Sequence, residues 1–332
     1  MAHIDAYNRP ISYLRISVTD RCNLRCIYCM PTEGITSVRH EQVLRYEEIE
    51  TIVRAAAELG ISKVRLTGGE PLVRLGIVDL VQKIAQIPGI DDLAMTTNGV
   101  LLARYAQDLA EAGLHRINIS LDSLDPQRFQ RITRCGDLAD VLAGIETARQ
   151  AGLQPIKINT VVIRGMNDDQ VVALAAKTLE ADWWNIRFIE LMPVGDGELM
   201  EEAWEEQVVT AEEVRQRIES ALGALEPAKM RVGSGPARYY RLPGAEGTIG
   251  FITPISQHFC YRCNRLRLTA DGQLRPCLLS DQEIDLRTPL REGADAEEIR
   301  ALILEGIDRK PMRHHLEEHV HPERRAMSQI GG

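Results

Sequence analysis

The sequence predicts an α/β fold built on a mostly parallel sheet. Six short runs typical of β-strands recur between residues 14 and 191, and segments with helical periodicity separate them. Strands that alternate with helices indicate βαβ units, whose strands run parallel. The 332 residues are enough for two domains, or for one barrel-sized domain with an appendage. The pattern alone fits both an open doubly wound sheet and a barrel.

The predicted strands are rich in β-branched and apolar residues, which favour the extended chain. They are LRISV at 14–18, KVRLT at 63–67, LAMTT at 93–97, RINIS at 116–120, IKINTVVI at 156–163 and NIRFIEL at 185–191. Between them, apolar residues return every three or four positions. In residues 46–60 this pattern ends at Gly60, a typical helix stop. Similar patterns predict helices at 76–87, 100–112, 138–151 and 168–181.

The character of the chain changes after Glu190. An acidic helical stretch at 197–223 precedes a loop punctuated by Gly and Pro, β-like runs at 248–253 and 265–270, and a last helix at 295–309. We therefore expect a boundary near 225–245. The two predicted domains are residues 1–230 and residues 231–332.

Composition and charge exclude several classes of protein. Apolar residues make up 44% and charged residues 26%, as in ordinary globular proteins. The longest stretch without a charged side chain, 247–261, is too short and too polar to span a bilayer. The beginning of the chain does not resemble a secretory signal, so we expect a cytoplasmic protein. A net charge of −9 argues against nucleic acid as a partner but permits a small anionic ligand in a local cationic pocket.

Six of the seven cysteines form two triplets far apart in the chain, a spacing typical of metal sites rather than disulfides. The first triplet, Cys22, Cys26 and Cys29, follows the first predicted strand. Three thiolates on one short loop can hold a four-iron cluster and leave one iron open to a small molecule. A zinc site completed elsewhere and unreactive buried thiols are the alternatives.

The second triplet is Cys260, Cys263 and Cys277. Its spacing fits either a second three-thiolate cluster or a zinc site completed by a residue such as His258. Arg265 and Arg267 alternate along a predicted strand, so both side chains project to one side, next to the cysteines. Two guanidinium groups beside an open iron suggest an anionic ligand held by bidentate hydrogen bonds, and a solvated strand face is the alternative.

The motif C-x3-C-x-Tyr-Cys after the first strand resembles that of radical S-adenosylmethionine (SAM) enzymes. The resemblance implies that the methionine end of SAM chelates the open iron of a [4Fe–4S] cluster. It further implies that Tyr28 packs near the adenine. The segment LTGGEP at 66–71 matches the family's GGE motif, in which Gly69 lets the backbone approach the methionine amino group.

Motifs along nearly the whole chain resemble those of the radical SAM family that acts on GTP in molybdenum cofactor biosynthesis. They are SVTDRCNLRCIYCMP, LTGGEPLVR, TTNG, SLDSL, INTVVIRGMND, RFIELMP, FCYRCNRLRLTADGQLRPCL and the terminal IGG. The resemblance implies an incomplete (βα)6 TIM barrel and a C-terminal α+β segment that carries a second [4Fe–4S] cluster. It implies that a 5′-deoxyadenosyl radical takes the ribose 3′ hydrogen of GTP, which yields 3′,8-cyclo-7,8-dihydro-GTP.

The resemblance also assigns site residues. GTP would contact Arg15, Arg65, Thr96, Lys157, Arg265, Leu266 and Arg267, and SAM would contact Tyr28, Gly69, Ser120 and Met192. Arg265 and Arg267 would be catalytic, as would Gly331 and Gly332 in a tail that reaches into the active site. Expected partners are an external electron donor, a second copy of the chain, and cyclic pyranopterin monophosphate synthase as the recipient of the product.

Two other functions stay open. A radical SAM enzyme that modifies a peptide would share the first triplet and an auxiliary cluster, and a zinc-stapled binding module would need no iron. Several residues have no clear assignment from the sequence. Arg74 is a candidate phosphate contact, and Arg187 and Glu190 flank the last predicted barrel strand and fit a structural role equally well. Cys135 is a spare thiol. His314, His315, His319 and His321 belong to a polar tail rather than to a metal site.

Overall fold

The computed structural model of the protein describes every residue except 1, 196, 198, 200–203, 230–234, 317–321, 323–324 and 332. The strands are β1 (His3–Ile4), β2 (Pro10–Ile11), β3 (Tyr13–Ser17), β4 (Lys63–Thr67), β5 (Asp92–Thr97), β6 (Arg116–Ser120), β7 (Lys157–Val162), β8 (Asn185–Glu190), β9 (Glu226–Pro227), β10 (Arg238–Arg241), β11 (Thr248–Ile252), β12 (Arg265–Leu268), β13 (Gln273–Arg275) and β14 (Ile284–Asp285).

The helices are α1 (Tyr46–Glu58), α2 (Ile77–Ala85), α3 (Leu102–Glu111), α4 (Pro126–Thr133), α5 (Leu138–Gln150), α6 (Val171–Ala176), α7 (Ala211–Leu222), α8 (Arg287–Glu292), α9 (Ala296–Asp308) and α10 (Met327–Ile330). Short 3-10 turns lie at His40–Gln42, Pro71–Val73, Lys177–Leu179, Trp204–Gln207 and Cys260–Arg262. In the part of the chain that the structure describes, no helix is both long and apolar enough to cross a bilayer.

The centre of the fold is a parallel sheet of the six predicted strands, β3 to β8, in chain order. Two later strands extend it in parallel at opposite edges: β12 pairs with β3, and β11 pairs with β8. Antiparallel strands then continue each edge, which gives twelve strands in the order β14-β13-β12-β3-β4-β5-β6-β7-β8-β11-β10-β9. Because β3 and β8 do not pair with each other, the barrel is incomplete, as the resemblance implies.

Alternation of side chains along each strand separates the core from the site. On β3, Leu14 and Ile16 are buried in the hydrophobic core, whereas Arg15 lines a cavity. On β12, Leu266 and Leu268 join the core and leave Arg265 and Arg267 on the cavity side. The expected common orientation of the two arginines is therefore confirmed.

The predicted strands agree with the structure to within one residue at each end. The predicted helix at 168–181 begins later, at Val171, because the side chains of Asn167 and Asp168 accept hydrogen bonds in a tight loop before it. It ends in a 3-10 turn at Lys177–Leu179. In the acidic stretch 197–223, the described helix begins at Ala211, where Thr210 and Glu213 form a capping box. Helix α4 was not predicted, although Asp125 caps it and Pro126 begins it.

The C-terminal part of the chain contributes to the central sheet on both sides. Strands β11 and β12 both come after residue 230, the expected domain boundary, and each hydrogen-bonds to a strand that comes before it. Helix α9 packs against α1 near the β12 edge. The second cysteine triplet is thus attached directly to the edge of the sheet that carries the first triplet.

Candidate active site

A cavity of about 320 Å³ lies on the inner face of the curved sheet, toward the carboxyl ends of its strands. Side chains from all six central strands line it, together with loops that follow them and with residues from the C-terminal part. All six triplet cysteines are among its lining residues: Cys22, Cys26, Cys29, Cys260, Cys263 and Cys277. The carboxyl ends of barrel strands are where functional residues collect in such folds. The cavity is therefore the candidate active site.

The loop of the first triplet is held by helix α4. The backbone N–H of Ile27 donates to the Ile132 carbonyl at 3.0 Å, and Arg134 donates to the carbonyls of Arg25 and Met30. Burial raises the pKa of the Cys22 thiol to about 11 and that of Cys29 to about 12. Buried thiols with raised pKa values ionise when a cationic metal centre binds them. The donor set thus fits an iron–sulfur cluster ligated by three thiolates.

The two glycines of the GGE segment allow the β4 loop to lie directly on the cysteine loop. A Cβ at Gly69 would collide with the Arg21 carbonyl oxygen and would lie 2.6 Å from that of Asp20. The Gly69 N–H donates to the Thr19 carbonyl at 2.7 Å. No larger residue fits, because the obstructing atoms are backbone.

Glu70, the third residue of this motif, joins the β4 loop to the end of β5. Its fully buried carboxylate accepts hydrogen bonds from the Thr97 hydroxyl at 2.7 Å, the Asn98 N–H at 2.7 Å and the Leu72 N–H at 3.0 Å. Burial raises the pKa of Glu70 to about 7 despite these bonds. The carboxylate has a positioning role, since it fixes two loops that line the cavity.

The four residues assigned to SAM, Tyr28, Gly69, Ser120 and Met192, all line the cavity. The Tyr28 hydroxyl donates to Asp122 Oδ2 at 2.8 Å, and burial raises the pKa of Asp122 to about 6. No sequence signal indicated a role for Asp122, although it lies in the SLDSL motif. It fixes the tyrosine ring beside the last cysteine of the first triplet.

Two buried cations hold the loops of the second triplet. Arg9, paired with Asp5 at 2.6 Å, donates to the Cys260 carbonyl at 2.9 Å. Lys310 lines the cavity near Cys263. Burial opposes ionisation of the Cys263 thiol, but Arg265 and Lys310 lower its pKa to about 6. Among the described residues, no three His, Cys, Asp or Glu side chains are arranged as ligands of a single metal ion.

Three arginines occupy matching positions on neighbouring strands. In the sheet register, Arg15 of β3 pairs with Arg65 of β4 on one side and with Arg267 of β12 on the other. We call these three residues the arginine row. Burial and the neighbouring Arg265 lower the pKa of Arg267 to about 9. Three adjacent buried guanidinium groups are energetically unfavourable without a compensating charge. The arginine row therefore fits a polyanionic ligand.

The whole cavity carries an excess of positive charge. Its described lining includes six cationic side chains, Arg15, Arg65, Arg187, Arg265, Arg267 and Lys310, and one carboxylate, Asp122. The buried Nε atoms of Arg65 and Arg187 have no hydrogen-bond partner among the described residues. Arg187, left unassigned from the sequence, is thus part of the site.

The other residues assigned to GTP occupy different environments. Thr96 lines the cavity and accepts a hydrogen bond from Arg65 at 3.4 Å. Lys157 is buried on β7 outside the described lining, and burial together with Arg187 lowers its pKa to about 6. The Leu266 side chain lies in the core, so any contact with GTP would come from its main chain.

The C-terminal tail enters the site. Arg267 donates a hydrogen bond to the Gly331 carbonyl. Gly331 has φ +80°, and a Cβ there would lie 2.7 Å from the Thr67 hydroxyl oxygen, so both conformation and space favour glycine. Ile330 packs against Val194 and Leu279, which brings the tail against the loops after β8 and β13. Gly332 lies outside the described residues, and its assignment stays a prediction.

Arg325 anchors this tail to the β12–β13 hairpin region. It forms a bidentate pair with Asp271 at 2.9 and 3.0 Å and a second with Glu283 at 2.5 and 2.9 Å. Glu283 also pairs with the fully buried Arg275. The side chain of Arg325 is only 13% exposed. Such a network is stronger than an isolated surface pair.

Arg74 and Glu190 lie outside the cavity lining and support neighbouring loops. The expected phosphate contact of Arg74 is wrong, because its guanidinium donates to the Val18 and Leu44 carbonyls and stacks on Tyr46. Glu190 accepts from the N–H groups of Ile255 and Ser256 and supports the loop before the second triplet.

Among the other unassigned residues, Cys135 is exposed, as expected for a spare thiol. The expected place of His314 in a polar tail is wrong, because His314 is buried, lines the cavity and contacts the Pro254 carbonyl at 3.1 Å. His315 is exposed. His319 and His321 lie outside the described residues.

Comparisons with known protein families define the class to which this chain belongs. Residues 16–177 match the family model of the Radical SAM superfamily, and residues 184–316 match that of Molybdenum Cofactor Synthesis C. The chain thus has a radical SAM domain, whose cysteine triplet and GGE loop meet at the cavity described above.

Full-length relatives define the family within this class. The chain is 57% identical to GTP 3′,8-cyclase of Pelotomaculum thermopropionicum over 99% of each chain. It is 53% identical to GTP 3′,8-cyclase of Thermodesulfovibrio yellowstonii, again over 99% of each chain. It belongs to the GTP 3′,8-cyclase family.

Solved structures support the fold alone, because their sequence identities are low. Streptococcus suis SuiB bound to S-adenosylmethionine matches with a TM-score of 0.61 and 15% identity, covering 87% of this chain and 68% of SuiB. Histidine-tagged anSMEcpe with bound AdoMet matches with a TM-score of 0.57 and 15% identity, covering 91% of this chain and 78% of that protein. The predicted radical SAM fold class is confirmed.

The first prediction concerns the fit of Gly69. We expect Gly69→Ala to weaken SAM binding by roughly tenfold or more, since its Cβ displaces the backbone of Asp20 and Arg21. Equilibrium dialysis with labelled SAM on the iron-loaded protein measures this. Gly152→Ala is the control, because Gly152 has a positive φ but has no atom within 4 Å of an added Cβ. Equal losses in both variants would contradict the close-approach argument.

The second prediction concerns the anchor of the tail. We expect Arg325→Met to raise amide hydrogen exchange in residues 326–331 by about tenfold, because the two carboxylate pairs are lost. Exchange mass spectrometry on the C-terminal peptide measures the effect. Arg309→Met is the matched control, since it removes a half-exposed pair with Glu305 on α9. Unchanged exchange in Arg325→Met would show that the tail is held without the arginine.

Proposed function

We propose that this protein converts GTP to (8S)-3′,8-cyclo-7,8-dihydroguanosine 5′-triphosphate, the first step of molybdenum cofactor biosynthesis. The observation that carries the proposal is the convergence of both cysteine triplets and the arginine row on one cavity. The names of the full-length relatives support this substrate.

The cavity residues fit the groups that this reaction requires. Cys22, Cys26 and Cys29 would hold the first [4Fe–4S] cluster. Cys260, Cys263 and Cys277 would hold the second cluster. When bound, the first cluster and SAM supply one-electron radical chemistry, which belongs to the cofactors rather than to the protein. The protein's part is to bind, orient and enclose the reactants.

The SAM-facing residues lie at one group of loops. Gly69 presents its backbone where the β4 loop meets the cysteine loop, Ser120 ends β6, and Met192 follows β8. Tyr28, oriented by Asp122, would pack on the adenine. These contacts would fix SAM beside the first triplet and keep its reacting carbon at a constant place.

The arginine row would neutralise the triphosphate of GTP. Arg15, Arg65 and Arg267 offer guanidinium groups in one line, and Thr96 and Arg187 extend the polar lining. Bidentate hydrogen bonds orient a phosphate as well as hold it. Arg265, next to Cys263, would fix the nucleotide relative to the second cluster. The ribose would then be held between the two triplets.

The tail would complete the enclosure. The Gly331 carbonyl directs Arg267 through their hydrogen bond. Gly332, which lies outside the described residues, is a further catalytic candidate. The enclosure would exclude water and stray hydrogen donors from the reacting ribose. The proposal includes a cytoplasmic homodimer, an external electron donor and transfer of the product to cyclic pyranopterin monophosphate synthase.

The third prediction separates the roles of the two triplets. We expect Cys26→Ala to abolish SAM cleavage, because the cluster that reduces SAM is lost. Cys277→Ala should still cleave SAM but form no cyclised product, since substrate positioning is lost. Anaerobic assays with dithionite, SAM and GTP, analysed for 5′-deoxyadenosine and for cyclised nucleotide, measure both. Identical behaviour of the two variants would contradict this division of roles.

The fourth prediction tests the function itself. After anaerobic reconstitution we expect roughly eight irons per chain and a cyclised product formed only with both SAM and GTP, as two four-iron clusters require. About four irons with cleavage indifferent to GTP would fit a radical SAM enzyme with another substrate. A colourless zinc protein without SAM cleavage would overturn the proposal entirely.

A further inference from the structure

Lys310 is a buried cation that no sequence motif indicated. It lies two residues after the end of α9, and only 3% of the residue is exposed. Its ammonium Nζ donates to the Pro276 carbonyl at 2.6 Å and to the Arg265 carbonyl at 2.8 Å. Lysine is rarely buried to this extent without a charged partner. The side chain therefore needs an explanation.

The two carbonyls that Lys310 binds belong to the loops of the second triplet. Pro276 immediately precedes Cys277, and Arg265 follows Cys263 by two residues. Arg265 begins β12 and Pro276 follows β13, so both lie at the open end of the β12–β13 hairpin, where one ammonium group joins the two chains. The hydrogen bonds of Lys310 thus hold the two cysteines in a fixed relation to each other.

The charge of Lys310 has no carboxylate partner in the part of the chain that the structure describes. No described Asp or Glu forms an ion pair with it, and the nearby cations Arg9 and Arg265 repel it. The groups that favour its charged form are the sulfurs of Cys263 and Cys277. A buried cation without compensation is costly. The thiolates of Cys263 and Cys277, with the group that they bind, would supply an anionic partner beside Lys310.

A four-iron cluster in its 2+ core state held by three thiolates has a net charge of about −1, and one-electron reduction makes it about −2. A neighbouring cation stabilises the reduced form more than the oxidised form. We propose that Lys310 is a positioning residue of the second cluster that also raises its reduction potential. This inference rests on the proposed function, since it requires a cluster on Cys260, Cys263 and Cys277.

The test measures the second cluster without interference from the first. The parent protein carries Cys22→Ala, Cys26→Ala and Cys29→Ala in the full chain, so that the iron bound after reconstitution belongs to the second triplet. Lys310→Met removes both charge and donors, whereas Lys310→Gln keeps an N–H donor and removes the charge. Lys177→Met is the matched control, because Lys177 is a surface lysine paired with Glu180. Circular dichroism verifies folding in each variant.

The measured quantities are iron content and the midpoint potential from an EPR-monitored redox titration. We expect the midpoint potential of Lys310→Gln to be more negative than that of the parent by at least about 59 mV. This shift corresponds to a tenfold change in a one-electron reduction equilibrium. Lys310→Met should show the same shift or, with its fold intact, lose iron. Lys177→Met should match the parent in both measurements.

Two negative results have different meanings. If the parent binds about four irons and neither Lys310 variant changes potential or iron content, the role of Lys310 is wrong while the second cluster stands. If the parent binds no iron, the second cluster of the proposed function is absent, and this inference fails with it. A change in GTP affinity alone, with an unchanged potential, would also overturn the inference.

Discussion

The organisation of this protein depends on the concentration of buried positive charge on the inner face of the sheet. Six cationic side chains and one carboxylate are found in the described lining of the cavity. Removing guanidinium groups from water costs several kcal/mol each unless an anion compensates them. The fold therefore supplies a rigid frame that holds these cations together. An anionic ligand and anionic clusters would supply the compensation, which couples binding to stability.

The frame is rigid because four of the six cations, Arg15, Arg65, Arg187 and Arg267, sit between core residues on parallel strands. Leu14 and Ile16 fix Arg15, and Leu266 and Leu268 fix Arg267. The register between β12 and β3 is decisive, since a shift by one residue would turn Arg265 and Arg267 into the core. The same pairing places the second triplet, which flanks β12, beside β3, the strand that leads into the first triplet. One strand contact thus sets both the anion site and the relation of the two triplets.

Much of the fold could be predicted because its signals are local. The six central strands and the orientation of Arg265 and Arg267 follow from periodicity, and the cysteine triplets follow from spacing. The addition of β11 and β12 to opposite edges could not be predicted, since it depends on pairing between strands far apart in sequence. Arg74 was misassigned because proximity to the GGE motif in sequence says nothing of its side-chain direction, which is toward Tyr46.

The site residues that the sequence did not indicate were missed for one physical reason. Asp122, Lys310 and Arg325 act through hydrogen bonds to groups that lie far away in the chain. A single carboxylate or cation in a sequence has no periodicity or spacing that reveals such a partner. The resemblance predicted residues that would touch ligands, whereas the structure shows the residues that hold the neighbouring loops and side chains in place.

The most direct measurement is the dependence of binding on the number of phosphates. Equilibrium dialysis of the anaerobically reconstituted protein would compare GTP, GDP and guanosine at one fixed salt concentration. If the arginine row holds the triphosphate, guanosine should bind at least about a hundredfold more weakly than GTP, with GDP between them. Equal affinities for GTP and guanosine would show that the buried cations do not hold the phosphates, and would contradict the central claim.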